Sequence, residues 1–188
     1  MTASTISPQA RVGFVHLLMQ AFKGAFRAAP DAPVAIEPVA DLAGVDADRA
    51  VILTVSSYRF RLLTLVYFTL DDATRHHFGA INRAHPGDMD DQAVLDVIAE
   101  CGNICCGTLN RELARHFPHI GMSTPNLIHR QSGRFLPSLS AAHLRHFRAR
   151  LGDALTLHVS LCVSDCVDID FRVDPQVAEE ATGELELF

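Results

Sequence analysis

Asp96, Glu100, Asn103, Gly107 and Asn110 follow one another at alternating intervals of four and three residues. On a helical wheel of about 100° per residue, with Asp96 at zero, Glu100 lies at about +40° and Asn103 at about −20°. Gly107 then lies at about +20° and Asn110 at about −40°, so all five share one narrow stripe. The opposite side carries Val94, Ile98, Cys101, Cys105 and Leu109. The stretch 91–116 therefore predicts a long amphipathic helix whose polar stripe faces solvent or a partner. A merely solvated face mixes Lys, Glu and Arg. This one sets a carboxylate, which pairs with cations, one turn from a carboxamide, which both donates and accepts hydrogen bonds. Gly102 and Gly107 sit inside the helix, where each costs about 1 kcal/mol relative to alanine. A missing side chain at Gly107, on the stripe itself, lets another surface come close. A purely structural stripe is the competing explanation.

Thiols and imidazoles are the other chemistry-bearing groups. Five cysteines occur, at 101, 105, 106, 162 and 166, with ten histidines. Cys101 and Cys105 share a helix face. Cys162 and Cys166 have the same spacing in a β-like segment around a turn. C-x3-C is not the tight knuckle usual in structural zinc sites, and no histidine completes a ligand motif with these cysteines. No metal site is therefore assigned, and buried small hydrophobes are expected. A thiolate nucleophile at Cys105-Cys106 is disfavoured, because the wheel puts Cys105 in mid-helix on the apolar side. There is no G-x-S-x-G and no glycine-rich phosphate loop. The odd cysteine number, and an N-terminal run interrupted by Arg11, His16 and Lys23, point to a reduced, cytoplasmic setting rather than a secretory one.

The chain has 188 residues, 48% hydrophobic and 20% charged. That balance suits one folded domain over 1–175 with an acidic tail at 176–188. A net charge of −6 argues against nucleic acid, whose phosphates demand a basic surface. No apolar run reaches the roughly 18 residues of a membrane span. Ser7-Pro8 predicts a helix start and a helix over 8–28. Residues 34–39 predict a strand, with Pro38 suggesting a sheet edge. Residues 50–55 and 60–70 predict a hairpin, and Asp71 or Asp72 caps a helix to about residue 84. After the long helix the chain reads as extended over 120–128 and as a short basic helix over 140–150. Two closing strands are expected at 154–163 and 166–173. Helices and strands do not alternate strictly, which favours an α+β fold with an antiparallel sheet packed against long helices.

Asp96-x3-Glu100-x2-Asn103, with Gly107 four residues on and Pro125 after the next turn, resembles the bacterial chemotaxis phosphatases of the CheC/CheX/FliY group. The pattern of that group is an acidic or hydroxyl residue, three residues, Glu, two residues, Asn, and a proline about one helix and turn later. The resemblance takes in the preceding hairpin and helix, the 125–128 segment and the closing strand pair, about residues 8–173. The first helix has no E-x-x-N, so one site per chain is expected, as in the CheX type, whose members commonly dimerise. The basic segment 140–150 stands where a shorter connection is expected.

The resemblance implies a phosphatase acting on the aspartyl phosphate of a response-regulator receiver domain, CheY-like, and a homodimer. No cofactor is expected on this chain; Mg²⁺ is expected on the receiver. Asn103 would orient the hydrolytic water, since a neutral amide does not repel the phosphoryl group. Glu100 would reach the lysine that receivers carry beside their phosphorylation site; Gly107 and Asn110 would extend the contact, and Asp96 would extend it or orient Glu100. No covalent enzyme intermediate is implied. The alternative is a receiver-binding or flagellar-switch-type adaptor of the same fold, without catalysis. No nucleic acid and no membrane enters either reading.

Overall fold

The computed structural model describes residues 5–174, so the acidic tail expected at 176–188 lies outside them. Ser7 is extended, and its Oγ accepts from the Ala10 amide at 3.1 Å. With Pro8 following, helix α1 runs Pro8–Phe26. Strand β1 covers Val34–Val39, β2 Arg49–Ser56 and β3 Phe60–Phe68. Asp71 caps α2, Asp72–Ile81, through the Thr74 amide. A single 3-10 turn, Pro86–Asp88, separates it from α3, Asp91–Ala114. Two short strands follow, β4 at Gly121–Met122 and β5 at Asn126–His129, then a 3-10 stretch over Arg130–Leu139. Strands β6, His143–Leu151, and β7, Leu155–Asp165, close the order.

All seven strands form one antiparallel sheet in the order β1-β6-β7-β3-β2-β4, with β5 also on β2. The fold is α+β, as the element order predicted. Strand β1 lies at the sheet edge, where the exposed Pro38 removes no shared ladder bond. At the other edge β4 and β5 form two halves of an interrupted strand. Met122 opposes Val55, and Asn126 opposes Ile52. Pro125, which has no N–H to give, falls in the gap.

Alternate residues of each strand face opposite ways, and the two sheet faces are covered differently. Val51, Leu53, Val55, Leu62, Val66, Val159 and Leu161 pack under α1 and α3. Phe14, Leu18 and Phe22 of α1 and Ile98, Cys105 and Leu109 of α3 supply the helical half of that core. Burial of each large apolar side chain contributes about 1.5–3 kcal/mol, so the roll of each helix is set by its buried stripe. Four phenylalanines, Phe14, Phe60, Phe117 and Phe171, interlock beyond the C-terminal end of α3 with centroid separations of 4.9–6.3 Å. On the other face Ala50, Leu65, Tyr67 and Cys162 are covered by the 42–47 loop and the 3-10 stretch, through Leu136. No helix among the described residues is long and apolar enough to cross a membrane.

Two expectations are corrected. The basic segment 140–150 is not a helix; most of it is β6. Leu144, Phe147 and Leu151 fit helical spacing, but Phe147, Ala149 and Leu151 also alternate with Arg148 and Arg150. Pairing with β1 on one side and β7 on the other decides for the strand. Arg148 Nε then donates to Glu37 Oε1, directly across the β1–β6 pair, at 2.7 Å. The closing hairpin is accordingly β6–β7 rather than 154–163 with 166–173. It turns at Gly152, whose φ of 59° is one that glycine adopts without a steric penalty. The alternating Val167, Ile169, Phe171 and Val173 make no named strand. Ile169 bridges Ile6 in parallel, and the segment runs back beside the start of α1. Phe171 packs there against Gly13, where a Cβ would stand 2.9 Å from the ring.

Candidate functional site

Helix α3 is held at several points along its length. The Asp90 carboxylate accepts from the Ala93 amide at 2.8 Å. That bond caps the helix N-terminus. Asp91 pairs with Arg75 of α2. In mid-helix, Gly102 lets α3 lie close on β2. A Cβ there would stand 3.0 Å from Leu53 Cδ2, 3.4 Å from Val51 Cγ2 and 3.6 Å from Pro125 Cβ. One turn later the Cys106 thiol donates to the Thr54 carbonyl at 3.6 Å. Arg115 Nη1 pairs with Glu112 Oε2 at 2.9 Å near the C-terminus.

With its roll fixed in this way, the helix buries Val94, Ile98, Cys101, Cys105 and Leu109, the side opposite the polar stripe. Asp96 and Glu100 are exposed, and Asn103 is half-buried. Neighbours three and four apart on one face stand about 5–6 Å from each other at Cβ, so the three side chains leave the helix as a group. Asp96 Oδ1 accepts from Gln92 Nε2 at 2.7 Å, one turn back. Glu100 and Asn103 have no side-chain hydrogen bond or ion pair among the described residues. A carboxylate and an amide on one helix face, left unsatisfied by the described residues, are groups able to bind another molecule.

The remaining stripe residues sit differently. Gly107 is half-buried, and the nearest atom to a Cβ built there is Met122 Sδ at 4.0 Å. The surface that its missing side chain admits is, in this chain alone, β4. Asn110 is also half-buried, with Oδ1 sealed from solvent and without a hydrogen-bond partner. That oxygen is turned inward, not toward a docking surface.

Exposed apolar groups border the stripe, and the helical wheel centred on Asp96 does not include them. Ile104, one turn after Glu100, is 50% exposed. Its wheel position, at about +80° and so outside the apolar side, is the signal that marks it. Met122 and Leu127 on β4 and β5 are exposed as well. The ridge therefore sets polar groups beside exposed apolar ones, Ile104, Met122 and Leu127.

The cysteines are free; Cys166 alone is exposed. Burial, with the Glu100 charge second, pushes the Cys101 thiol up to about 12. Burial likewise raises Cys105, and raises Cys106 to about 11. These thiols are protonated at neutral pH and do not act as nucleophiles. Among the described residues no three His, Cys, Asp or Glu side chains gather closely enough to hold a metal ion.

No family model and no curated protein matches this chain in sequence. Solved structures do match in fold. A chain of the CheX–CheY–BeF3–Mg²⁺ complex from Borrelia burgdorferi superposes with a TM-score of 0.60 at 14% identity, covering 81% of this chain and 98% of that one. Chemotaxis protein CheX from Vibrio vulnificus gives 0.59 at 12%, covering 81% and 99%. FliY from Thermotoga maritima gives 0.51 at 13%, covering 88% and 93%. Helices on one face of an antiparallel sheet, with α3 seated on its strands, are thus an arrangement shared with those proteins: the chain has the fold of the CheC-like and CheX chemotaxis proteins.

Proposed function

We propose that this chain is a phosphatase that hydrolyses the aspartyl phosphate of a response-regulator receiver domain of the CheY kind, with Asn103 orienting the attacking water and Glu100 docking the receiver. The observation that carries the reading is the pairing of an unsatisfied Glu100 with an unsatisfied Asn103 on one face of a firmly seated helix. The Borrelia burgdorferi structure, by its own description a CheX–CheY complex with BeF3 and Mg²⁺, supports a receiver as the partner.

In this reading the water oxygen bonds to phosphorus in line with the bond to the aspartyl oxygen. That bond breaks, and the products are inorganic phosphate and a free aspartate on the receiver. Mg²⁺ held by the receiver neutralises the phosphoryl oxygens. The work left for this chain is placement. The Asn103 amide holds water without adding negative charge, and the Glu100 carboxylate pairs with a receiver cation, fixing α3 against the phosphorylation site. Asp96, already tied to Gln92, and Gly107 border the contact. The phosphatase unit spans 1–175 and acts in the cytoplasm as a homodimer; sedimentation of the purified chain tests the last point.

The test is phosphate decay of a phospho-receiver, at fixed Mg²⁺, with wild-type chain and with Asn103→Ala. Acceleration by the first and not the second supports the reading. Binding of the phospho-receiver without acceleration by wild type would assign the chain to the adaptor alternative.

A further inference from the structure

On the sheet face away from α3 lies a cavity of 380 Å³ that the phosphatase reading does not use. Its floor is Tyr67 of β3 with Leu144 and His146 of β6; its walls are Leu42–Gly44 of the β1–β2 loop and the 3-10 stretch carrying Arg130, Gly133 and Arg134. No acidic residue among the described ones lines it. Neither guanidinium has a carboxylate partner among the described residues. Asp41, the carboxylate that acts on His146 through its charge, accepts the Ala43 amide at 2.8 Å.

The polar floor is wired. Ser160 Oγ donates to Tyr67 Oη at 3.3 Å, and His146 Nδ1 stands 2.8 Å from the same Oγ. With the serine proton committed to Tyr67, the imidazole Nδ1–H donates to Ser160, and the phenol keeps its own proton for something else. Burial holds the Tyr67 pKa above its usual value, so the group is a donor and not a phenolate. Gly133 closes over this phenol; a Cβ there would collide with Tyr67 Oη. Leu42, Leu136, Pro137 and Leu144 supply the apolar walls.

We propose that this cavity binds a small organic phosphate monoester, its dianion held by Arg130, Arg134 and the Tyr67 hydroxyl and its apolar body lying between Leu42, Leu136 and Leu144. Two guanidiniums without a carboxylate partner among the described residues suit a dianion, which they can grip in parallel hydrogen bonds. The volume is that of a small-ligand pocket, whose usual range begins at about 300 Å³. A ligand there would tie the β1–β2 loop to the Arg130–Leu139 stretch, two segments that meet over β3 and β6. The site is separate from α3 and stands whether or not Asn103 catalyses.

The probe is 2-naphthylphosphonate, which no phosphatase hydrolyses, titrated into the full chain by calorimetry and by amide NMR. The expected result is saturable binding of one molecule per chain, with shifts confined to residues 42–44 and 130–137. Neutral 2-naphthol should bind at least about tenfold more weakly, as expected for loss of charge-assisted hydrogen bonds. The double variant R130A/R134A should lose binding by a similar factor while keeping its melting temperature and its action on a phospho-receiver. R134E, at an exposed position, gives a second removal of the charge that the fold tolerates. No saturable binding, equal binding of naphthol, inorganic phosphate bound as tightly as the phosphonate, or undiminished binding by R134E or the double variant overturns the proposal.

Discussion

The Asn103 amide has no side-chain hydrogen bond among the described residues, and under the proposed function its worth to hydrolysis lies in the water it can hold. Replacing Asn103 by alanine removes the amide proposed to orient water from a half-buried helix position without opening a core cavity. N103A is expected to slow phospho-receiver hydrolysis by about 10²-fold or more, the scale seen when one preorganised donor is lost. Circular dichroism and melting temperature should be unchanged. Glu100 is proposed to dock the receiver. E100A is expected to weaken receiver affinity by about tenfold, the loss of one charge-assisted hydrogen bond, measured by titrating a phospho-receiver mimic. Unchanged affinity would remove the docking role. The wheel angle alone places Asn110 with these residues. It stands at the border of the buried arc, where an angle does not say whether a side chain turns in or out, and its Oδ1 turns in.

At the scale of elements, α3 meets its neighbours through two glycines with opposite surroundings. Gly102 faces Leu53 at 3.0 Å, so G102A gains helix propensity and loses it again to crowding. Gly107 has only Met122 Sδ near it, at 4.0 Å. G107A is therefore expected to raise stability by about 0.5–1 kcal/mol in urea denaturation. The same methyl group should weaken receiver binding if Gly107 lies in the contact; a gain in both stability and affinity would place it outside. Ser7 caps α1 and also donates to Asp170 Oδ1 at 2.6 Å. S7A should cost about 1 kcal/mol, typical of a lost N-cap. Caps and apolar spacing make α1, α2 and α3 readable without coordinates, and Pro38 marks the edge strand. Residues 143–151 are not readable in the same way. Their apolar positions satisfy the helical and the strand period at once, and only the partners on either side, 34–39 and 155–165, choose between them. The Tyr67 cavity is invisible in the sequence for a related reason: its lining comes from three separate parts of the chain, 42–44, Tyr67 and 130–146.

The whole molecule is a sheet with a helical face that carries Glu100 and Asn103 and a second face that carries the arginine-lined cavity. Its buried imidazoles tie its stability to pH. His143 is buried beneath α1 with Nε2 unpartnered, and burial, then the charges of Arg11 and Arg145, lower its pKa from 6.5 to about 4. Well above pH 6.5 neither folded nor unfolded chain protonates it. Between about 6.5 and about 4 the unfolded chain takes a proton that the folded chain refuses, so stability falls as the pH drops through that window. His77, His146 and His158, each lowered chiefly by burial, act in the same direction. The melting temperature should therefore fall between about pH 7 and about pH 5, and H143Q should fall less; an equal fall would remove His143 from the account. The proposed catalysis on the helical face is read out by following the phosphate of a CheY-like phospho-receiver over time at fixed Mg²⁺. Wild-type chain should speed its release, and N103A, equally folded, should leave the receiver's own rate unchanged; an N103A chain as active as wild type would rule out the proposed role of Asn103.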